Sequence, residues 1–344
     1  MIEAPDDTGT VSRWGEPAHV DRLASAVPRI APEWGLSTEV RVRLLGVSEN
    51  VVLRLDDPAR DAAVAMRVHR PGHRSKDEIA SEIAWTKAIR AEGIVRVPAV
   101  VPRVDGDAIG TLTLAGTQHA VVAHEMLPGR HRSPDDRDAL RRMRALGAIA
   151  ARLHDHARRW RRPDGFERPR WTHATMLGDR VMWGDWRTAR GLEAPGRAIL
   201  ERVSERLRER LDAYGTAPDR FGLVHGDLRH ANLLVEGDAI AVIDFDDCGE
   251  GWFAYDFAAA ISFLETDPRL PTWREGWLAG YRDVAPFPSA DEAMLGDMVM
   301  LRRMLLTAWV ASRPEAEAAR AFGTGFAAGT LALGERYLAE PQIG

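Results

Sequence analysis

Three oxygen-bearing side chains gather past the middle of the chain. In residues 221–248, FGLVHGDLRHANLLVEGDAIAVIDFDDC, Asp227 follows His225-Gly226, Asn232 comes five residues later, and Asp244 is followed by Asp246 and Asp247. The apolar runs Leu233–Val235 and Ala239–Ile243 flank Gly237-Asp238, a dipeptide that favours a tight hairpin turn. The polar residues therefore sit at strand ends and converge on one edge. Such a set suits phosphoryl transfer, in which a divalent metal bridges the negative charge and the attacking hydroxyl needs an acceptor for its proton. Hard Mg²⁺ prefers one or two carboxylates, an amide oxygen and substrate phosphates to a closed protein cage. Asp227 is the candidate base, and Asn232 and Asp244 are the candidate metal ligands. Asp-x-x-x-x-Asn with an aspartate after the next hairpin has the spacing of a kinase catalytic loop. Taken singly, each acid is better explained as a solvated turn residue, and His225 as a satisfied core histidine. The three together, on a strand, loop and hairpin pattern, favour chemistry.

The stretch HGDLRHANLL followed by VIDFDDCGEGWFAYDFA resembles the aminoglycoside phosphotransferase and choline kinase-like family, strongly over residues 221–258 and in the same motif order over residues 40–155. The resemblance implies ATP-dependent phosphorylation with Mg²⁺ on an α+β, bilobal protein kinase-like fold. Residues 1–124 would form an N-terminal lobe, a small antiparallel sheet with one helix. Residues 125–129 would be a hinge, residues 130–344 a larger, mostly helical lobe, and ATP would sit in the cleft.

The elements that must position these groups can be read in outline. Residues 1–16 lack periodicity and suggest a loose arm, while Val20, Leu23, Val27 and Ile30 share one side of a helix over residues 19–30. Strands are expected over residues 40–45 and 51–55, around the turn Gly46-Val47-Ser48-Glu49-Asn50. The family's nucleotide-covering loop falls on that turn, which makes Ser48 and Asn50 candidate nucleotide contacts; a plain hairpin loop fits the local sequence equally well. A strand over residues 62–69 puts Val64, Met66 and Val68 on one face and Ala65, Arg67 and His69 on the other. A helix over residues 76–91 follows, with Glu78 and Glu82 on one face.

A kinase needs a cation here for the α- and β-phosphates, held by a glutamate on that helix. Lys76 and Lys87 are the chain's only lysines, and neither lies in a strand. Arg67 is thus the cation placed where the family has its strand lysine, with Glu82 as its partner, and its guanidinium can meet phosphate oxygens and carboxylate bidentately. The plainer reading is an exposed arginine paired with any nearby acid. Further on, the strand from residue 120 ends at Pro128-Gly129, and the resemblance places adenine against backbone groups of Glu125 and Met126.

Beyond the hinge, Ala139, Met143, Leu146, Ala150 and Leu153 form the apolar stripe of a long helix over residues 134–160, beside which His154 reads as structural. Residues 161–195 read as loops, in which Trp171, Trp183 and Trp186 either line a substrate mouth or anchor the surface. A helix over residues 195–214 precedes the central stretch. Asp256 opens a helix as a buried anion rather than a metal ligand. The tail from residue 273 is helical, and its LRRMLLTAWVASRP is similar to the stress-response kinase branch. Gly323-Thr-Gly325-Phe-Ala-Ala328 fits a loose dinucleotide fingerprint but follows no strand, so packing between helices is the expected reason for its glycines.

Composition narrows the partners. The 344 residues are 45% hydrophobic and 28% charged, ordinary for a globular protein, and the net charge of −5 offers nothing for nucleic acid. Cys248 is the single cysteine, which excludes an intrachain disulfide and reads as a small packed residue. MIEAPDDTGT has no secretory character and no run reaches membrane-spanning length, so no membrane partner is expected and the expected compartment is the cytoplasm. The acceptor is expected to be a hydroxyl of a small metabolite or antibiotic. Acids at 135–138 and 264–267 could draw an amine-bearing acceptor, although solvated charge explains them more simply. Two alternatives stand: a stress-response-type protein Ser/Thr kinase, and a nucleotide-binding pseudokinase suggested by the missing strand lysine.

Overall fold

Alternation of apolar and polar residues builds the first part of the chain into a sheet. The computed structural model describes residues 14–61, 63–179, 181–314 and 316–339. After helix α1 (Pro17–Ala26) come β1 (Arg41–Val47), β2 (Asn50–Asp56), β3 (Val64–His69), helix α2 (Lys76–Ala91), β4 (Val100–Val101), β5 (Ile109–Leu114) and β6 (Thr117–Glu125). The six strands pair antiparallel in the order β1-β2-β3-β6-β4, with β5 also on β6. Val51, Leu53, Met66, Val68, Val121 and Ala123 pack on one face with Leu23 of α1 and Trp14. Val122 packs on the other with Ile79 and Ile83 of α2. Arg67 pairs with Val122 across the ladder, so the period of two turns it toward α2 and away from the core.

Two expectations are corrected here. Among the described residues this unit carries two α-helices, and the one expected over residues 19–30 spans Pro17–Ala26 instead, because Pro28 and Pro32 interrupt it, leaving 3₁₀ turns over Val27–Arg29 and Ala31–Trp34. Residues 1–13 of the expected loose arm lie outside the described residues, but Trp14 is 2% exposed and belongs to the core.

The chain divides into two compact units. The first comprises the chain through Arg90, Val97–Pro128 and Pro163–Glu167; the second comprises Ala91–Arg96, Gly129–Arg162 and the chain from Arg168 on. The second is mainly helical: α3 (Ala139–Arg159), the single turn α4 (His173–Met176), α5 (Ala194–Tyr214), α6 (Tyr255–Ala260), α7 (Leu270–Arg282), α8 (Ser289–Ala293), α9 (Leu295–Ser312), α10 (Glu317–Phe322) and α11 (Gly325–Ala339). Two small antiparallel pairs complete it, β7 (Phe221–Val224) with β10 (Gly249–Trp252) and β8 (Leu233–Glu236) with β9 (Ala239–Val242).

The expected stripe of α3 is buried, and α3 meets α7 at backbone distance. A Cβ on Gly147 would stand 1.9 Å from the Trp277 carbonyl oxygen, and one on Gly280 would stand 1.8 Å from that of Arg144. Only glycine permits this crossing, which sets His154 of α3 against Tyr281 of α7. Trp171, Trp183 and Trp186 are all buried and act as anchors of their loops. The glycines of the tail have a different cause from the one expected. Gly323 and Gly325 have open space where a Cβ would stand, and Gly323 is needed for its φ of +51° between α10 and α11. Among the described residues no helix is long and apolar enough to cross a membrane.

Candidate active site

The loop after β7 is fixed before its functional groups are placed. Gly226 has φ +79°, and a Cβ there would lie 2.5 Å from the Asp247 carbonyl oxygen, so the backbone can turn here only without a side chain. Asp256, fully buried in the first turn of α6, accepts from the amides of His225 (3.2 Å) and Gly226 (3.0 Å) and from His154 Nε2 at 2.9 Å. Tyr281 Oη lies 3.1 Å from His154 Nδ1. Burial holds the His154 imidazole below its ordinary pKa despite the carboxylate beside it, so Nε2 donates and Nδ1 accepts. Asp256 is the buried anion expected from the sequence, and it pins the start of the loop that carries Asp227.

His225 ties that loop to the hairpin. The Asp227 amide donates to His225 Nδ1 at 3.3 Å, which leaves Nε2–H for the Ile243 carbonyl at 3.3 Å. The Ile243 amide in turn donates to the Asn232 carbonyl at 3.0 Å. In the β8/β9 register Leu233 faces Val242, so Asn232 and Asp244 leave the same end of one hairpin. Asp244 is exposed, with φ +65°, a left-handed conformation that a non-glycine residue rarely adopts and that recurs at functional sites. The segment behind it is clamped, because Arg168 donates to the Asp246 and Cys248 carbonyls and Trp171 Nε1 to that of Asp247.

Asp227 and Asn232 touch directly. Asn232 Nδ2 donates to Asp227 Oδ2 at 2.7 Å and to the Asp227 carbonyl at 2.8 Å. With the amino group so committed, Asn232 Oδ1 is the atom left to meet a cation. Arg229 Nε donates to Asp227 Oδ2 at 3.0 Å, and Arg302 Nη2 of α9 donates to Oδ1 at 2.5 Å. Burial pushes the Asp227 carboxyl upward, but the Arg229 and Arg302 guanidiniums outweigh it and hold the group below its ordinary value. Asp227 is therefore ionised at neutral pH, with three donors on a carboxylate that offers about four acceptor sites. One site remains for a substrate hydroxyl.

In the first unit, Arg67 Nη1 of β3 bonds Glu82 Oε1 of α2 at 2.8 Å, with side chains 10% and 5% exposed. The Ser48-Glu49 turn is closed by the Ser48 amide on the Asn50 carbonyl at 3.0 Å, and Trp14 Nε1 donates to the Ser48 carbonyl at 3.2 Å. Asn50 is 5% exposed, with Oδ1 unpartnered among the described residues. At the end of β6 the Glu125 amide is spent on the Ala99 carbonyl at 2.8 Å, and its carboxylate accepts from the Ala99 amide at 3.2 Å.

The acids considered as an amine site are spent on arginines. Asp135 and Asp267 pair with Arg269, Asp136 with Arg142, and the buried Glu265 with Arg303. The sequence reading missed Arg302, Arg229 and Arg168. A signal for Arg302 existed, since two adjacent arginines within the otherwise apolar LRRMLL must be partnered if that helix is buried.

The sequence profile of the phosphotransferase enzyme family matches residues 39–293. The chain belongs to that family. A solved microcompartment-associated aminopropanol kinase is similar at 42% identity and TM-score 0.84, covering 91% of this chain and 97% of that one. An uncharacterized protein of Deinococcus radiodurans is 32% identical over 268 residues, 75% of this chain and 72% of its own length. The fold is also that of an amicoumacin kinase solved with AMP-PNP, Ca²⁺ and Ami, at TM-score 0.74 and 22% identity, with 93% and 94% of the two chains covered. The fold is protein kinase-like, and the chain is a phosphotransferase that moves phosphate from ATP to a hydroxyl of a small molecule.

Proposed function

We propose that this enzyme phosphorylates the hydroxyl of a short amino alcohol, using ATP with Mg²⁺. The catalytic part of the reading is carried by the Asp227 carboxylate, ionised, held by three donors and open to one more. Asp227 would accept the hydrogen bond of the acceptor hydroxyl, aim its oxygen at the phosphorus and take its proton. A weakly basic carboxylate suffices, because phosphoryl transfer passes through a loose transition state in which positioning outweighs base strength.

Asn232 Oδ1 and the exposed Asp244 carboxylate are hard oxygen donors of the kind Mg²⁺ takes beside phosphates and water, and these two residues would hold it. When bound, the metal neutralises charge on the phosphate oxygens. Arg67, oriented by Glu82, would hold the α- and β-phosphates; Ser48 and Asn50 would cover the nucleotide; and the Glu125 carbonyl with the Met126 backbone would meet adenine. Residues 125–129 would serve as the hinge. The absence of a strand lysine does not argue for a pseudokinase on this reading, because a buried guanidinium already stands on a glutamate where the lysine would be.

The acceptor class rests on the 42% identity to an aminopropanol kinase over 91% of the chain. Phe263, Trp309 and Phe322 add support. Their rings cluster with centroids 5.0 Å (Phe263–Phe322) and 6.2 Å (Phe263–Trp309) apart, and Phe263 lies 5.8 Å from the Arg229 guanidinium that bonds Asp227. Aromatic faces of this kind bind ammonium groups. The test is transfer from γ-labelled ATP to a panel of amino alcohols, simple alcohols and a mixed protein extract. Label is expected in amino alcohols ahead of their amine-free analogues. Label in protein, or equal labelling with and without the amine, would contradict the reading.

A further inference from the structure

Helix α9 is buried on most sides by Leu301, Met304, Leu305, Leu306 and Ala308, yet it carries Arg302 and Arg303, 2% and 5% exposed. Successive helical residues point about 100° apart, so the two guanidiniums meet different neighbours. Arg303 bonds Glu265 Oε2 at 2.8 Å, Thr330 Oγ1 at 2.8 Å and the Phe326 carbonyl at 2.9 Å, which ties α9 to the tail. Arg302 turns to the catalytic loop. Its Nη2 bonds Asp227 Oδ1 at 2.5 Å, Nη1 bonds the Gly226 carbonyl at 3.2 Å and Tyr255 Oη at 3.0 Å, and Nε bonds Ser262 Oγ at 3.0 Å.

We propose that Arg302 is a positioning residue for phosphoryl transfer, fixing from a distant helix the direction in which Asp227 presents its carboxylate to the acceptor hydroxyl. The inference rests on Asp227 being the proton partner of that hydroxyl, as proposed above. One guanidinium holds the backbone of Gly226 and the side chain of Asp227 together, so the rotation of the carboxylate against its own backbone is set from outside the loop. The guanidinium is itself held by Tyr255 and Ser262 and covered by the Trp183 ring, whose centroid lies 5.1 Å from it.

Stability alone gives no reason for this arrangement. Moving a charge pair out of water costs several kcal/mol, and well-packed apolar side chains are often as stable in its place. What an apolar residue cannot supply is a planar fork that bonds a carboxylate in one orientation. Arg229, two residues from Asp227 and about a third exposed, holds Oδ2 from within the loop and is free to yield to substrate. Oδ2 already takes Asn232 and Arg229, so the open acceptor site of Asp227 lies on Oδ1, beside Arg302.

The test compares Arg302→Met, Arg302→Lys and Arg303→Met with the parent and with Asp227→Ala, reading kcat, the KM for ATP and thermal unfolding. Arg302→Met is expected to lower kcat about 100-fold, the size of loss a misplacement of about 1 Å produces, with the KM for ATP within about threefold. Arg302→Lys, which keeps the charge and loses the fork, should fall in between and decides the matter if Arg302→Met does not fold. Arg303→Met should lose stability while keeping kcat. In Asp227→Ala, adding Arg302→Met should cost nothing further in kcat. Arg302→Lys or a folded Arg302→Met at the parental kcat would overturn the inference, as would a full additional loss in the double variant, while the base assignment would stand. Parental turnover in Asp227→Ala would overturn both.

Discussion

Each unit buries an arginine against a carboxylate, and the two pairs are built for different work. In the first, Arg67 reaches from a strand to Glu82 on the helix that covers it, both ends set by regular elements of one layer. In the second, Asp227 sits on a loop, and donors from the loop, the hairpin and α9 converge on it while Asp256 pins the backbone behind it. A sheet positions a charge through its register; a loop must be tied from several sides. A defect in the first pair should therefore show mainly in nucleotide affinity, and a defect around Asp227 mainly in turnover.

The largest break in that comparison is Asp227→Ala, which should lower kcat by about 10³, within the range for loss of a positioned acid or base, and leave the KM for ATP nearly unchanged; steady-state kinetics decides it. Next comes Gly226→Ala. Its Cβ would stand 2.5 Å from the Asp247 carbonyl oxygen at a φ of +79°, so the loop must shift, and kcat should drop about 100-fold while nucleotide still protects the protein from unfolding. Retained turnover would mean that the loop tolerates displacement.

Arg67→Ala should act oppositely, raising the KM for ATP about tenfold with a smaller change in kcat. It should also destabilise the first unit, because it removes the Arg67 guanidinium from the buried Glu82 carboxylate. A turnover defect with unchanged KM would erase the distinction between the units. The smallest effect concerns His230, 6% exposed, with neither ring nitrogen partnered among the described residues. Burial pushes its pKa down from 6.5 to about 4. The unfolded chain therefore takes up this proton first, and stability, full above pH 6.5, declines as the pH falls toward 4. His230→Leu should flatten that decline in thermal melts between the two values.

Much of this was legible in the sequence wherever a short pattern fixes geometry. The hairpin turn at Gly237-Asp238 placed Asn232 and Asp244 at one end, and the alternation in β3 turned Arg67 toward Glu82. Helix α2 begins and ends where its pattern does. What stayed hidden depends on partners remote in the chain. Arg302 is 75 residues from Asp227, and nothing local says which face of α9 meets the loop. The acids at 135–138 and 264–267 read as free charge because the arginines that take them, such as Arg269 and Arg303, come from other segments or other turns of the chain. The Gly147 and Gly280 crossing was equally invisible, since a glycine does not announce which backbone approaches it.

The most direct measurement of the central claim is Mn²⁺ binding, followed by electron paramagnetic resonance with AMP-PNP present, in the parent, Asn232→Ala and Asp244→Ala. The account predicts a metal site in the parent that both substitutions weaken by at least about tenfold, since each removes one of the few protein oxygens a hard cation takes beside phosphates. Undiminished Mn²⁺ affinity in both variants, with nucleotide bound, would contradict it.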